Sequence, residues 1–266
     1  MELENTRTSM SVPVLPVAAA VLLGGAALLS ALDPARVMKS LLLLHSGVDY
    51  HEDTTHSLLL GGYQSVLCAR NTGIYVGAML ALVWAWGTGR GRAQGFPSLR
   101  VALVLALLVG VMIADGVNSV VAELGYPSAY QPSNPLRLAT GLIAGAAVGV
   151  YFLPVLNGIV WRDCDARSVL PDYRALGGLV LVLTGLWLLL VSGLDVLAVP
   201  LALLTTMASL VLFGAVNLLF LVLLLKADNR FTRARNLATF SLVAVVAALG
   251  QMMLLAWFMR TFVLEV

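Results

Sequence analysis

The chain has 266 residues, 60% of them hydrophobic and only 11% charged, with a formal net charge of +2. Globular proteins are roughly 45–50% apolar and about 25% charged, so this composition specifies a polytopic membrane protein. The small positive excess sits in loops and argues against a nucleic-acid partner. The only two cysteines, Cys68 and Cys164, lie far apart in the sequence, so neither a disulfide framework nor a CxxC metal pair can be written within the chain.

A helix needs roughly 20 apolar residues to cross a hydrocarbon core of about 30 Å. Seven segments qualify: Val14 to Leu32, Cys68 to Gly87, Val101 to Ala122, Leu136 to Val160, Ala175 to Gly193, Ala198 to Lys226 and Asn236 to Phe262. The expected fold class is therefore all-α, a single integral membrane domain over residues 1–266 whose C-terminal part, 175–266, is an apolar three-helix unit. The first run has a second reading as a cleaved secretory signal; against it stand Glu2 and Glu4 before the run, Pro16 within it and no small-x-small site before Asp33. Val37 to Val48 is too short to span and reads as an interfacial or re-entrant helix. The second span carries Arg70 and Asn71 in its first turn, which makes it the least apolar of the seven.

With seven spans, eleven of the sixteen Lys and Arg residues fall on one side, among them Arg90, Arg162 and Arg233, and five on the other: Arg36, Lys39, Arg70, Arg137 and Arg260. The positive-inside bias then puts the N-terminus in the cytoplasm and the C-terminus outside, in a cell (plasma) membrane. The stretch from His45 to Gly77, which holds all three histidines, faces outward.

Asp115 is the sharpest polar residue within a span. It lies about 21 Å along the helix from Val101, in the outer third of the third span. A carboxylate at that depth needs a partner, and Arg70 and Arg137, at the outer starts of the second and fourth spans, are the cations nearest in depth. One reading is a structural ion pair joining helices. The sharper reading is an anion pocket: both spans run inward and present their N-termini outward, Asn134 can cap the fourth with Pro135 at its first helical position, and Thr72 and Thr140 add hydroxyls. The ligand-binding candidates are thus Arg70, Thr72, Asn134, Arg137 and Thr140, for a phosphate or carboxylate.

Before the second span, Asp49, His51, Glu52, Asp53 and His56 form a mixed cluster. His51 and His56, with Asp115, are candidates for acid and base chemistry, and His51, Asp53, His56 and Cys68 are weak candidates for a divalent metal. No HExxH spacing is present, and a solvated polar loop is the blander reading. His45 reads as an interfacial side chain. Cys68, beside Arg70, reads either as a thiol of depressed pKa or as a small buried hydrophobe. Gly141, Gly145 and Gly149 repeat on one face of the fourth span and offer close approach to another helix, a possible protein partner included. Asn157, Asn217 and Gln251 suit interhelical hydrogen bonds, and Trp84, Trp86, Trp161 and Trp257 an interfacial belt.

Four stretches carry a family resemblance: Tyr50-His51-Glu52 with His56-Ser57, the run Cys68-Ala69-Arg70-Asn71-Thr72-Gly73-Ile74-Tyr75-Val76-Gly77, the pair Asp115-Gly116, and Asn134-Pro135-Leu136-Arg137-Leu138-Ala139-Thr140-Gly141. In order and spacing they resemble domain of unknown function 2085, a family of predicted bacterial and archaeal membrane proteins, over roughly residues 37–158. The resemblance implies that these positions form one unit. It also shows two departures, because Tyr50 and Asn71 stand where the family pattern has cysteines, so a family-type thiol site cannot form here.

Three functions compete at this level. The first is a site, open to the outer leaflet side, that binds an anionic head group such as a lipid or isoprenoid phosphate, with or without processing it. The second is a transporter in which Asp115 is the coupling carboxylate. The third is a non-catalytic membrane subunit or assembly factor. Whether the chain is an enzyme stays open.

Overall fold

The computed structural model describes residues 33–49 and 54–263. It is mostly helical, with two small two-stranded sheets. Helix α1 (Pro34–His45) starts on an Asp33 cap, whose carboxylate accepts from the Ala35 N–H at 3.1 Å, with Pro34 in the first turn. A hairpin follows, β1 (Ser57–Leu60) with β2 (Tyr63–Cys68), closed by Gly61 and Gly62. Both glycines have positive φ, +55° and +85°, the two-residue turn that suits strand twist. Then come α2 (Ala69–Gly87), β3 (Ala93–Gly95), α3 (Leu99–Glu123), α4 (Asn134–Val160), β4 (Asp165–Ser168), α5 (Tyr173–Val191), α6 (Ala198–Leu224) and α7 (Ala234–Phe258), which runs on into a π-helical turn, Met259–Val263.

Among the described residues, five helices are long and apolar enough to cross a membrane: α3, α4, α5, α6 and α7. Their ends fall within a few residues of five of the expected spans. The second expected span is the 19-residue helix α2, which is not among the five; Arg70 and Asn71 in its first turn and its small residues lower its hydropathy. The first expected span, Val14 to Leu32, lies outside the described residues. In α3, α5 and α7 only 22% of the apolar window is buried, and Leu103, Leu107, Leu181 and Leu242 stand fully in the open. Water does not tolerate such faces, whereas acyl chains do.

The centre of the molecule is α2 packed on α4, the two running parallel. A Cβ added at Gly141 would fall on the carbonyl of Arg70, one at Gly145 on that of Ile74 and one at Gly149 against that of Ala78; from the other side, Gly73 and Gly77 meet the backbone around Leu138 and Leu142. Small residues four apart on both helices therefore let two backbones touch, the geometry in which Cα–H···O contacts and close packing hold membrane helices together. This corrects the reading of Gly141, Gly145 and Gly149 as a surface for a protein partner: all three are buried against the chain's own α2.

Antiparallel α6 and α7 form a second pair, pinned by a reciprocal amide bond between Asn217 and Gln251 (3.0 and 3.2 Å), as their residue types suggested. Alongside them α1 runs in the same direction as α6: Met38 packs with Leu67 and Ala202, and His45 reaches Ser209, in the middle of α6. The short helix thus packs along the first half of α6. His45, expected at an interface, is completely buried, its Nδ1–H donating to the Leu41 carbonyl at 2.9 Å.

At one end, the connections after α2, α4 and α6 weave into a cap. Strand β3 pairs parallel with β4, and Trp161 bridges to Phe231. Asn157 donates to the Gly91 and Ala93 carbonyls (3.1 and 2.8 Å), a loop anchor rather than the expected bond between helices. Trp161 is buried there, its Nε1–H on Asn157 and the Arg92 guanidinium 4.2 Å above its ring, so it leaves the expected aromatic belt. The hairpin and the connections after α3 and α5 lie at the opposite end.

Candidate functional site

The polar cluster forms where the hairpin end of the molecule meets α2, α3 and α4. Asp115 projects from α3 at the level of Thr140, about 9 Å into α4, and is only 2% exposed. Arg70 donates through Nη2 to Asp115 Oδ2 at 2.6 Å and to Ser119 Oγ at 3.0 Å. Tyr130 Oη–H donates to Asp115 Oδ1 at 2.7 Å, and Thr140 Oγ1 lies 3.3 Å from Oδ2. Both carboxylate oxygens are thereby engaged, which lets a charge persist where an isolated one would not. Asn118, one turn along, fixes the Tyr130 loop by donating to the Tyr130 carbonyl at 2.9 Å and accepting from the Ala129 N–H at 2.8 Å.

Arg137 is not on Asp115. It lies one turn earlier in α4 and meets Glu123, two turns beyond Asp115 on α3, with Nη2 3.3 Å from Oε1. The same Oε1 is 2.7 Å from His56 Nε2. Arg137 Nη1 also donates to Asn134 Oδ1 (3.1 Å) and to the Thr55 carbonyl (3.4 Å). The guanidinium is 6% exposed, yet its Nε–H is buried without a partner, as is that of Arg70.

The other expected residues take different places. Asn134 is the first residue of α4 rather than its cap; Ser133 holds the cap position without a side-chain bond, and the Asn134 amide donates to the Ser57 carbonyl at 2.8 Å. Thr72 is buried and donates to the Leu67 carbonyl at 3.2 Å, so it holds the start of α2 instead of facing a ligand. The N-terminus of α2 already has an anion: Asp49 Oδ2 accepts the Cys68 N–H at 2.7 Å. Cys68 closes β2 just before the helix, where its Sγ accepts the Asn71 N–H at 3.4 Å and caps the start of α2, a packed position rather than an open reactive one. Among the described residues no three His, Cys, Asp or Glu side chains gather as a metal site. His51 and Asp53 lie outside the described residues.

Glu123, Ser119 and Tyr130 were not among the expected site residues. Asp115, Ser119 and Glu123 recur every four residues, so the first two of these were written in the helical spacing; Tyr130 comes from a loop and left no periodic signal.

Long apolar helices with exposed apolar sides, and a charged cluster where α2 meets two of them, define a helical membrane protein. Residues 50–151 match the family model described as predicted membrane protein (DUF2085), so the resemblance carried by the motifs holds over that stretch. It takes in the hairpin, α2, α3 and most of α4, the elements that build the cluster. No curated protein and no solved structure matches the chain.

Proposed function

We propose that the chain is a multi-pass plasma-membrane protein, with the N-terminus cytoplasmic and the hairpin end outside, which binds an anionic head group at the Arg137 end of the cluster. The observation that supports this is the seat of Glu123. One carboxylate oxygen, half-exposed, is held between an imidazole and a buried guanidinium, the donors that a phosphate or carboxylate oxygen of a lipid would use. Glu123 keeps the place of the ligand, and the unpartnered Nε–H of Arg137 leaves donor capacity that a second ligand oxygen satisfies. The uncapped first turn of α4 adds backbone N–H groups on the same side. His56 touches this oxygen and is the acid or base that processing would use. The transporter reading has less support, because Asp115 is committed to Arg70, Tyr130 and Thr140.

Farnesyl phosphate and a farnesyl alcohol control, titrated against the purified full chain, test the proposal. Glu123→Gln removes the competing charge and should tighten phosphate binding about tenfold, whereas Arg137→Lys, which keeps charge but loses the fork, should weaken it by a similar factor. Equal affinities in wild type, Glu123→Gln and Arg137→Lys would remove the site, as would equal binding of phosphate and alcohol.

A further inference from the structure

A second feature of the hairpin end is independent of Arg137. Between α1 and α7 runs an open groove of about 760 Å³. Ser40, Leu44, Met253, Trp257, Arg260 and Thr261 are among its lining residues. Their order along the groove follows from the packing. α1 runs beside α6 from Met38 at Ala202 to His45 at Ser209, and α7 is antiparallel to α6, so Ser40 and Arg260 lie toward the hairpin end and Leu44 and Met253 toward the membrane interior. Arg260 is placed by the π-helical turn that ends α7, a distortion that turns a side chain out of the regular helix face. No carboxylate among the described residues pairs with it.

We propose that this groove is a binding site for one anionic phospholipid of the outer leaflet, its phosphate on Arg260, Thr261 and Ser40 and one acyl chain along Leu44 and Met253. The amphipathic order of the lining matches the order of a lipid, head group outward and chain inward. Trp257 sits at the level where an aromatic ring meets the carbonyl region of a bilayer. Arg260, the one cation among the described lining residues, selects net negative charge, since that lining offers no carboxylate for a choline or ethanolamine nitrogen.

The test uses the full chain in nanodiscs of mixed phosphatidylglycerol and phosphatidylcholine, with retained lipids counted by native mass spectrometry. One unscreened cation near a lipid surface corresponds to about fivefold selection. Wild type and Arg260→Lys should retain phosphatidylglycerol with that preference, Arg260→Gln should lose it, and Met253→Trp, which fills the inner end, should release the lipid altogether. Arg137→Lys should leave the count unchanged, which separates this site from the head-group site above. Unaltered selection in Arg260→Gln would overturn the proposal. So would quantitative disulfide formation between Leu44→Cys and Leu23→Cys, which would put the chain's own Val14 to Leu32 run in the groove instead.

Discussion

At the scale of single residues, Arg70 and Asp115 determine what the cluster tolerates. The pair is desolvated and hydrogen-bonded on both sides, so removing one partner leaves the other charged in apolar surroundings, at about 3–5 kcal/mol. Arg70→Met and Asp115→Asn should therefore each lower thermal stability in detergent sharply, and the double variant should lose less than the sum, because no orphan charge remains. Additive losses would mean that the pair does not interact. Cys68 gives a second expectation. Its Sγ is half-buried and accepts the Asn71 N–H at 3.4 Å, so alkylation of folded protein should be slow while urea-unfolded protein reacts at once; equal rates would contradict the packing. Asp115 was legible as a buried charge because a lone carboxylate in an apolar run admits few alternatives. Its partner Tyr130 was not, since loop residues obey no period. Arg137 was assigned to Asp115 by depth alone, and depth does not distinguish two carboxylates two turns apart on one helix face.

At the scale of elements, the α2 and α4 contact rests on absent side chains. Gly145→Ala would put a methyl group on the Ile74 carbonyl, a backbone atom that cannot step aside, and should destabilise the protein by about 1–3 kcal/mol in detergent unfolding. Gly110→Ala in α3, where an added Cβ meets nothing within 4 Å, is the matched control and should be neutral or slightly stabilising. Equal effects would show that the contact is not tight. The glycine spacing was plain in the sequence, but its partner was not: a small-residue stripe says that something approaches closely without saying whether it comes from the same chain. The hairpin was also written there, as Gly61-Gly62 between two apolar runs, yet beside seven long hydrophobic segments a six-residue strand carries little signal. Strands β3 and β4 are shorter still and pair across α3 and α4, beyond any local pattern.

At the scale of the whole molecule, the alternation of loops is observed and its orientation is proposed. The cap after α2, α4 and α6 gathers Arg90, Arg92, Arg162, Arg230 and Arg233, the charge bias on which the proposed cytoplasmic orientation of this end rests. Single cysteines at exposed positions test it in a chain lacking Cys68 and Cys164. A membrane-impermeant maleimide on intact cells should label Gln131→Cys, in the connection after α3, and spare Asp163→Cys, in the cap, until the cells are broken. The opposite pattern would invert the protein and move both proposed lipid sites to the inner leaflet.

The parallel pairing of α2 with α4 bears on how the protein is made. Two parallel neighbours cannot be consecutive spans, so α2 leaves the ribosome before the helix that covers it exists. It carries an arginine and an asparagine in its first turn and is less hydrophobic than the five long apolar helices, so on its own it partitions poorly into lipid. Its charge is met only when α3 brings Asp115, and its glycine face is closed only when α4 arrives. Closing this core is therefore a joint event of three helices, and a nascent chain that stalls between α2 and α4 would leave a charged, glycine-faced helix without its partners.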